Sequence, residues 1–155
     1  PGDTYTFGNA SFTVLSPSKE YKDNNNNSIV IRLTYGNTTF LMTGDAEEEA
    51  EEDMLSSGLP LSADVLKLGH HGSSSSTSDD FLSAVDPTWA VISCAEGNKY
   101  GHPHAETMNK LRAAGVSVFR TDEQGTITAT TDGTTITWNA SPSETWQTGE
   151  GRSSE

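Results

Sequence analysis

The chain is poor in cysteine, in basic residues and in long apolar runs, and each shortage excludes a class of protein. Its single cysteine, Cys94, excludes an internal disulfide and a zinc site built from several cysteines. Because Cys94 follows an apolar run at 89–92, we expect a small buried residue there rather than a nucleophile. The printed sequence contains no stretch of about 20 apolar residues typical of a transmembrane helix, and no signal-peptide pattern.

Acidic residues outnumber basic ones, with 22 Asp and Glu against nine Lys and Arg and a formal net charge of −13. The basic residues are scattered, so the chain has no cluster that would follow a nucleic-acid backbone on its own. An acid excess keeps a protein hydrated at the cost of self-repulsion, which concentrated salt screens. The composition therefore predicts a salt-adapted source, and an ordinary acidic domain is the alternative.

The order of the predicted elements indicates an α/β fold. Length and pattern predict one domain over residues 1–139 and a flexible polar tail over 140–155. Hairpins at both ends of the domain, with strands and helices alternating between them, predict layers around a mixed sheet. The predicted strands lie at 5–15 (a pair), 28–35, 38–43, 64–68, 88–93, 116–120, 127–130 and 135–138, and the helices at 46–57, 78–85 and 105–114.

One feature of each of these helices is predicted from local pattern. The first helix carries an acidic run over 47–53, which we interpret as a solvated face. Ser78 or Thr77 is expected to cap the second helix, and Met108 and Leu111 of the third to point inward.

Candidate metal ligands follow three predicted strands. Asp45 comes directly after Gly44 at the end of one strand, and His70 and His71 follow another. Because strand ends meet at one sheet edge in α/β proteins, a carboxylate and an imidazole are expected together there, as in hydrolytic metal centres. Neighbouring strand residues point to opposite faces, so at most one of the two histidines is expected in the core.

The other two histidines lie in a third loop at the same predicted edge. His102 and His104 follow Tyr100 after the strand at 88–93. His104 has an alternative interpretation as a cap of the helix that follows. All four histidines of the chain thus lie in two short loops, a concentration that favours a shared site.

The strings at 41–47, 64–73 and 98–104 together resemble the metallo-β-lactamase-fold domain of ComEC-type DNA-internalisation competence proteins. The similarity runs from about Phe7 to Trp138. It implies the C-terminal half of an αββα sandwich with two divalent metal ions, zinc or manganese, that hydrolyses phosphodiesters, with single-stranded DNA as a candidate substrate. It also implies a parent protein through which the domain can be attached to a membrane.

The resemblance assigns roles residue by residue. Asp45 matches the carboxylate that bridges the metals, and one of His70 and His71 matches a late histidine ligand. His71 is the favoured ligand, with His70 facing the substrate phosphate, although the sequence does not separate them. The segment 24–28 is Asn-rich, as in ComEC-like members, where the wider superfamily often has another histidine. Tyr100, His102 and His104 match the family's late Tyr-Gly-His-Pro loop, which implies that they contact the phosphate or protonate the leaving group.

The number of ligands limits what the chain can do alone. Catalytic zinc takes about three protein ligands per ion, and the family's main cluster, His-x-His-x-Asp-His, is absent from this sequence. We therefore expect weak metal binding and little hydrolysis without the missing N-terminal half. The alternatives are a degenerate, non-catalytic interaction domain and a hydrolase of a small ester with the same fold.

Overall fold

The computed structural model describes residues 1–149, which form an α/β domain. Its strands are β1 (Thr4–Phe7), β2 (Ala10–Ser16), β3 (Val30–Tyr35), β4 (Thr38–Met42), β5 (Val65–Lys67), β6 (Trp89–Ile92), β7 (Ser117–Arg120), β8 (Ala129–Thr131) and β9 (Ile136–Trp138). Its helices are α1 (Glu48–Ser56), α2 (Asp79–Val85), α3 (Ala105–Ala113) and α4 (Thr121–Gln124). Short 3₁₀ turns lie at Asn25–Asn27 and Gly69–Gly72.

The main sheet is mixed, as the sequence predicts. Seven strands lie in chain order from β1 to β7. The pairs from β1 to β4 are antiparallel, and those from β4 to β7 are parallel. Two-residue turns join β1 to β2 and β3 to β4, and the longer segment 17–29 joins β2 to β3. Helices α1, α2 and α3 carry the chain back for each parallel strand. Strands β8 and β9 form a separate hairpin.

The core lies between the helices and one face of the sheet. The sheet contributes fully buried side chains to this core, including Leu41, Leu66 and Ile92. The helices contribute buried apolar side chains, including Met54, Phe81, Met108 and Leu111. The predicted inward orientation of Met108 and Leu111 is confirmed.

The opposite face of the sheet is also apolar. Residues paired directly across strands share a face, and such a row runs through Phe12, Leu33, Phe40, Val65 and Trp89. Part of this face lies under the β8–β9 hairpin, which leaves an apolar pocket of about 170 Å³. Towards the other end, Phe12 and Leu33 are only half-buried. This face is therefore less completely covered than the helix face.

The prediction of a solvated acidic face on α1 is wrong for Glu51. Its carboxylate is buried and accepts hydrogen bonds from the backbone N–H groups of Thr77 (2.6 Å) and Ser78 (2.8 Å). The predicted Ser78 cap of α2 is confirmed, because its Oγ accepts from Phe81 N. Glu51 thus ties α1 to the start of α2, a contact between distant segments that helical periodicity does not indicate.

The segment predicted as a flexible tail begins against the domain. Ser143 forms a bridge with Val118, and Gly149 N–H donates to the Pro103 carbonyl at 2.9 Å. The remainder of that predicted tail, 150–155, lies outside the described residues. None of the helices found within residues 1–149 is long and apolar enough to cross a membrane.

Candidate functional site

Three loops meet at the carboxyl ends of β4, β5 and β6. Asp45 follows β4, His70 and His71 follow β5, and His102 lies in the loop after β6. The ring centroids lie 6.2 Å apart for His70 and His71, 5.4 Å for His70 and His102, and 6.1 Å for His71 and His102. The structure therefore brings these four predicted site residues into one cluster, because parallel strands direct their ends to one edge.

The Nε2 atom of His71 faces the Asp45 carboxylate. Its Nδ1 lies 2.7 Å from the Ser93 carbonyl oxygen, which can only accept, so Nδ1 carries the hydrogen. In the neutral ring Nε2 then presents a lone pair, and it lies 3.6 Å from Asp45 Oδ1. Two ligands of a tetrahedral zinc ion, each about 2.0–2.2 Å from the metal, stand about 3.3–3.6 Å apart, so the pair fits a shared ion. A carbonyl holding the second nitrogen is typical of metal-binding histidines.

This pair accounts for only part of a metal site. Among residues 1–149, no group of three or more His, Cys, Asp or Glu side chains is placed to hold an ion. The Asp45 and His71 side chains are 44% and 49% exposed. Further ligands therefore have open access to the pair.

His70 points to a different carboxylate. Its Nδ1 lies 2.8 Å from Glu47 Oε1, which also accepts from Ser75 Oγ at 2.7 Å. Partial burial raises the pKa of Glu47, but hydrogen bonds from Ser75, His70 and Asn25 outweigh it and hold the pKa below its usual value. The two adjacent histidines thus have different carboxylate partners, a difference that the sequence did not predict.

The backbone of this histidine loop is strained. His70 and His71 have φ of 45° and 58°, in the left-handed region that non-glycine residues rarely adopt. Such conformations persist where the surroundings fix them, and they concentrate at functional sites. The sequence pattern did not predict this geometry.

His102 is buried at the centre of the cluster. Burial, together with His104, His70 and His71, lowers the pKa of His102 to about 4, so its ring is neutral at physiological pH. The loop around it is closed by Asn98, whose side chain accepts from His102 N at 3.0 Å and donates to His102 O at 2.7 Å.

His104 links two loops through both ring nitrogens. Nδ1 accepts from the backbone N–H of Ser74 at 3.0 Å, so the hydrogen lies on Nε2, which donates to the Tyr100 carbonyl at 3.0 Å. His104 occupies the N-cap position of α3, as the alternative interpretation expects, but its side chain makes no capping hydrogen bond to the helix. Tyr100 is 64% exposed and stacks on His102 at 5.7 Å.

Sequence comparison relates the chain to known proteins. It is 38% identical over 127 residues (81% of the chain) to ComE operon protein 3 of Bacillus subtilis (strain 168). It is 41% identical over 118 residues (75%) to Competence protein ComA of Neisseria gonorrhoeae, and 36% identical over 117 residues (75%) to Recombination protein 2 of Haemophilus influenzae. Its homologues are competence-related proteins.

The chain spans about one sixth of the length of these relatives, with 16%, 17% and 15% of them covered. No protein-family model matches it. The competence part of the resemblance is therefore supported by homologues, whereas the metallo-β-lactamase fold and the metal chemistry stay predictions.

The contacts of two side chains were missed by sequence reasoning, one of them in the Asn-rich segment 24–28. Glu47 was interpreted as part of a solvated face, and its side chain instead contacts His70. Asn26 is buried, and its Oδ1 accepts from the backbone N–H groups of Glu47 (2.9 Å) and Ala50 (3.3 Å) at the start of α1. Both contacts join segments more than 20 positions apart, so no local pattern signals them.

Cys94 lies at the end of β6, next to the carbonyl that holds His71. Burial first, and then the nearby Asp122 carboxylate, raise the pKa of the Cys94 thiol to about 12. Cys94 is only partly buried, where it packs against the core, so the expectation of a buried residue is met in part. A thiol this hard to ionise is a poor nucleophile, as expected.

Proposed function

We propose that this chain is the C-terminal half of a metallo-β-lactamase-like αββα domain that hydrolyses phosphodiesters with two divalent metal ions, in a protein associated with DNA uptake. The observation that carries the proposal is the pair of facing acceptors, His71 Nε2 and Asp45 Oδ1, at 3.6 Å. Two acceptors turned towards each other are mutually unfavourable unless a cation or proton lies between them. The names of the homologues support the association with competence.

Asp45 and His71 would hold the ions, which are zinc or manganese in this proposal. When bound, two such ions lower the pKa of a water molecule and stabilise the oxygens of an in-line displacement. The exposed sides of Asp45 and His71 leave room for the ligands that this chain does not supply.

The remaining side chains act on the substrate. In the proposal His70 faces the phosphate, and the neutral ring of His102 donates a hydrogen bond from the floor of the site without adding charge. Tyr100, exposed above His102, contacts the group next to the phosphate. His104 has both nitrogens engaged, so we assign it to holding the loop rather than to proton transfer.

The missing half of the domain has a surface to pack on. The apolar row through Phe12, Leu33 and Phe40 lies on the sheet face opposite the helices, where a second sheet would form a sandwich. The relative from Bacillus subtilis is about five times as long as this chain, and thus has length to supply such a half. In the proposal that half brings the remaining ligands, and any membrane attachment comes from the parent protein.

Replacing Asp45 in the full-length protein tests the assignment. Asp45→Ala should abolish cleavage of both single-stranded DNA and a chromogenic phosphodiester in the presence of zinc or manganese, because the carboxylate that neutralises the ions is lost. Asp80→Ala, which removes an exposed carboxylate from α2, is the matched control and should leave the rates unchanged. Undiminished turnover in Asp45→Ala would refute the metal assignment.

Comparison of the substrates separates the alternatives. Cleavage of neither diester by the full-length protein would indicate a degenerate, non-catalytic interaction domain. Cleavage of small esters alone would indicate a hydrolase of a small ester with the same fold. The isolated chain should bind zinc weakly in titration calorimetry and turn over little, because it offers two facing ligands. Micromolar affinity with robust diesterase activity in the isolated chain would contradict the proposed division of the site.

A further inference from the structure

We propose that Glu47 is a positioning residue of this site, which holds the His70 imidazole so that Nδ1 is engaged and the lone pair of Nε2 is left to accept a hydrogen bond from a donor group beside the phosphate, such as the attacking water. The inference rests on the proposed function for the role of His70. The contact between Glu47 and His70 stands independently of it.

The Glu47 carboxylate is a meeting point of three loops. Its Oε1 lies 2.8 Å from His70 Nδ1, 2.7 Å from Ser75 Oγ and 3.3 Å from Asn25 Nδ2. An ionised carboxylate only accepts hydrogen bonds, so Nδ1 of His70 carries the hydrogen. Nε2 is then the nitrogen with the lone pair, and no hydrogen bond within residues 1–149 uses it.

Glu47 is itself fixed in place. It precedes the first residue of α1, and its backbone N–H donates to the buried Asn26 side chain at 2.9 Å. The next backbone N–H, that of Glu48, donates to the Ser75 carbonyl at 3.1 Å. Two hydrogen bonds therefore fix the backbone that carries the Glu47 carboxylate. A side chain that orients another one needs such a fixed backbone.

His70 needs such an anchor. Its backbone is left-handed, with φ of 45°, and its ring lies 5.4 Å from that of His102 and 6.2 Å from that of His71. A ring that turned over would exchange its two nitrogens within this cluster. On metal-ligating histidines, a carboxylate that accepts from the second nitrogen fixes the tautomer and the orientation, and its loss typically costs about 10–100-fold in metal affinity or activity. We expect a loss of the same order where a carboxylate holds His70.

The first experiment reads the tautomer without any catalysis. The ¹⁵N spectrum of the chain labelled at histidine, recorded at about pH 8.5 where free imidazole is neutral, reports which ring nitrogen of His70 carries the hydrogen. We expect hydrogen on Nδ1 in the wild type and in Glu47→Gln, whose amide oxygen still accepts. Glu47→Ala should lose this preference. Glu48→Ala, which removes a neighbouring exposed carboxylate, is the matched control and should retain it.

The second experiment uses the full-length protein and a chromogenic phosphodiester. Glu47→Ala should lower kcat about 10–100-fold with little change in KM, and Glu47→Gln should recover most of the loss. In a His70→Ala background, Glu47→Ala should have no further effect, because residues that act through one another are not additive.

The results test the positioning role of Glu47 and the proposed function separately. Hydrogen on Nε2 of His70 in the wild type, or an unchanged tautomer in Glu47→Ala, would overturn the positioning role. An additive loss in the double variant would do the same, because Glu47 would then act without His70. Absence of diesterase activity in the wild-type full-length protein would refute the proposed function, while the tautomer measurement would still decide whether Glu47 holds His70.

Discussion

Two clusters of charged and polar side chains lie at the carboxyl ends of strands in the main sheet, and they differ in how many of their polar atoms are paired within the protein. At the end of β7, the Arg120 and Asp122 side chains are 0% and 1% exposed and are joined by two hydrogen bonds of 2.8 and 2.7 Å. At the ends of β4 and β5, the half-exposed side chains of Asp45 and His71 lie 3.6 Å apart.

This difference separates a structural cluster from a candidate functional one. The Arg120 guanidinium also donates to the Gln147 carbonyl, so its charge is fully used inside the protein. Bidentate pairs of this kind combine strength with geometric specificity. The Asp45–His71 pair instead leaves acceptor groups turned towards each other and towards solvent, which is the arrangement expected where a ligand completes the site.

The largest effect on stability is expected at the closed cluster. Arg120→Ala leaves the buried Asp122 carboxylate without its bidentate partner, and breaking a buried ion pair in this way costs about 3–5 kcal/mol. Urea denaturation of the chain measures the loss. Arg112→Ala, which removes an exposed cation that contacts Trp146, should cost less than about 1 kcal/mol. A loss at Arg120 no larger than that at Arg112 would remove the distinction between the clusters.

A smaller loss is expected where Glu51 ties α1 to α2. Glu51→Gln keeps the size of the side chain but replaces one accepting oxygen by an amide NH₂, so the N–H of Thr77 or Ser78 loses its partner. A buried donor left unsatisfied costs about 1–3 kcal/mol. The control, Glu52→Gln, changes the exposed neighbour and should be neutral in the same denaturation experiment. Equal stabilities of the two variants would contradict this account of Glu51.

The smallest effect on stability is expected at the open cluster. Asp45→Ala should change the free energy of unfolding of the metal-free chain by no more than about 0.5 kcal/mol, because polar contacts between half-exposed side chains contribute little. The backbone N–H of Asp45 keeps its hydrogen bond to Ser28 Oγ in this variant. Thermal unfolding with and without zinc is the measurement. A decrease of about 2 kcal/mol or more in the free energy of unfolding without metal would show that the Asp45–His71 pair stabilises the fold.

Local patterns predicted most of the fold. Alternating residues around Gly36 and Asn37 predicted the hairpin of β3 and β4, and the apolar spacing of Met108 and Leu111 predicted the buried side of α3. These signals work because side-chain direction repeats every two residues in a strand and about every 3.6 in a helix. Helix α4, with four residues, is too short to carry such a repeat.

The candidate site was predictable only in its outline. Strand order brings Asp45, His71 and His102 to one edge, and a sequence can indicate that through topology. The contacts of Glu47 with His70 and of Glu51 with the start of α2 depend on tertiary packing between segments 23 to 27 positions apart. A run of glutamates looks uniformly solvated in sequence, and only the folded chain distinguishes its members.

The glycines of the histidine loop have a consequence for the energetics of binding. A Cβ on Gly69 would meet the Ala46 carbonyl oxygen at 2.8 Å, and one on Gly72 would meet the Pro103 side chain at 2.9 Å. The histidine loop therefore packs closely against the segment at Ala46 on one side and against Pro103 on the other. The conformational entropy of His70 and His71 is lost when the chain folds, so an incoming ligand does not have to order them and retains more of its contact energy as affinity.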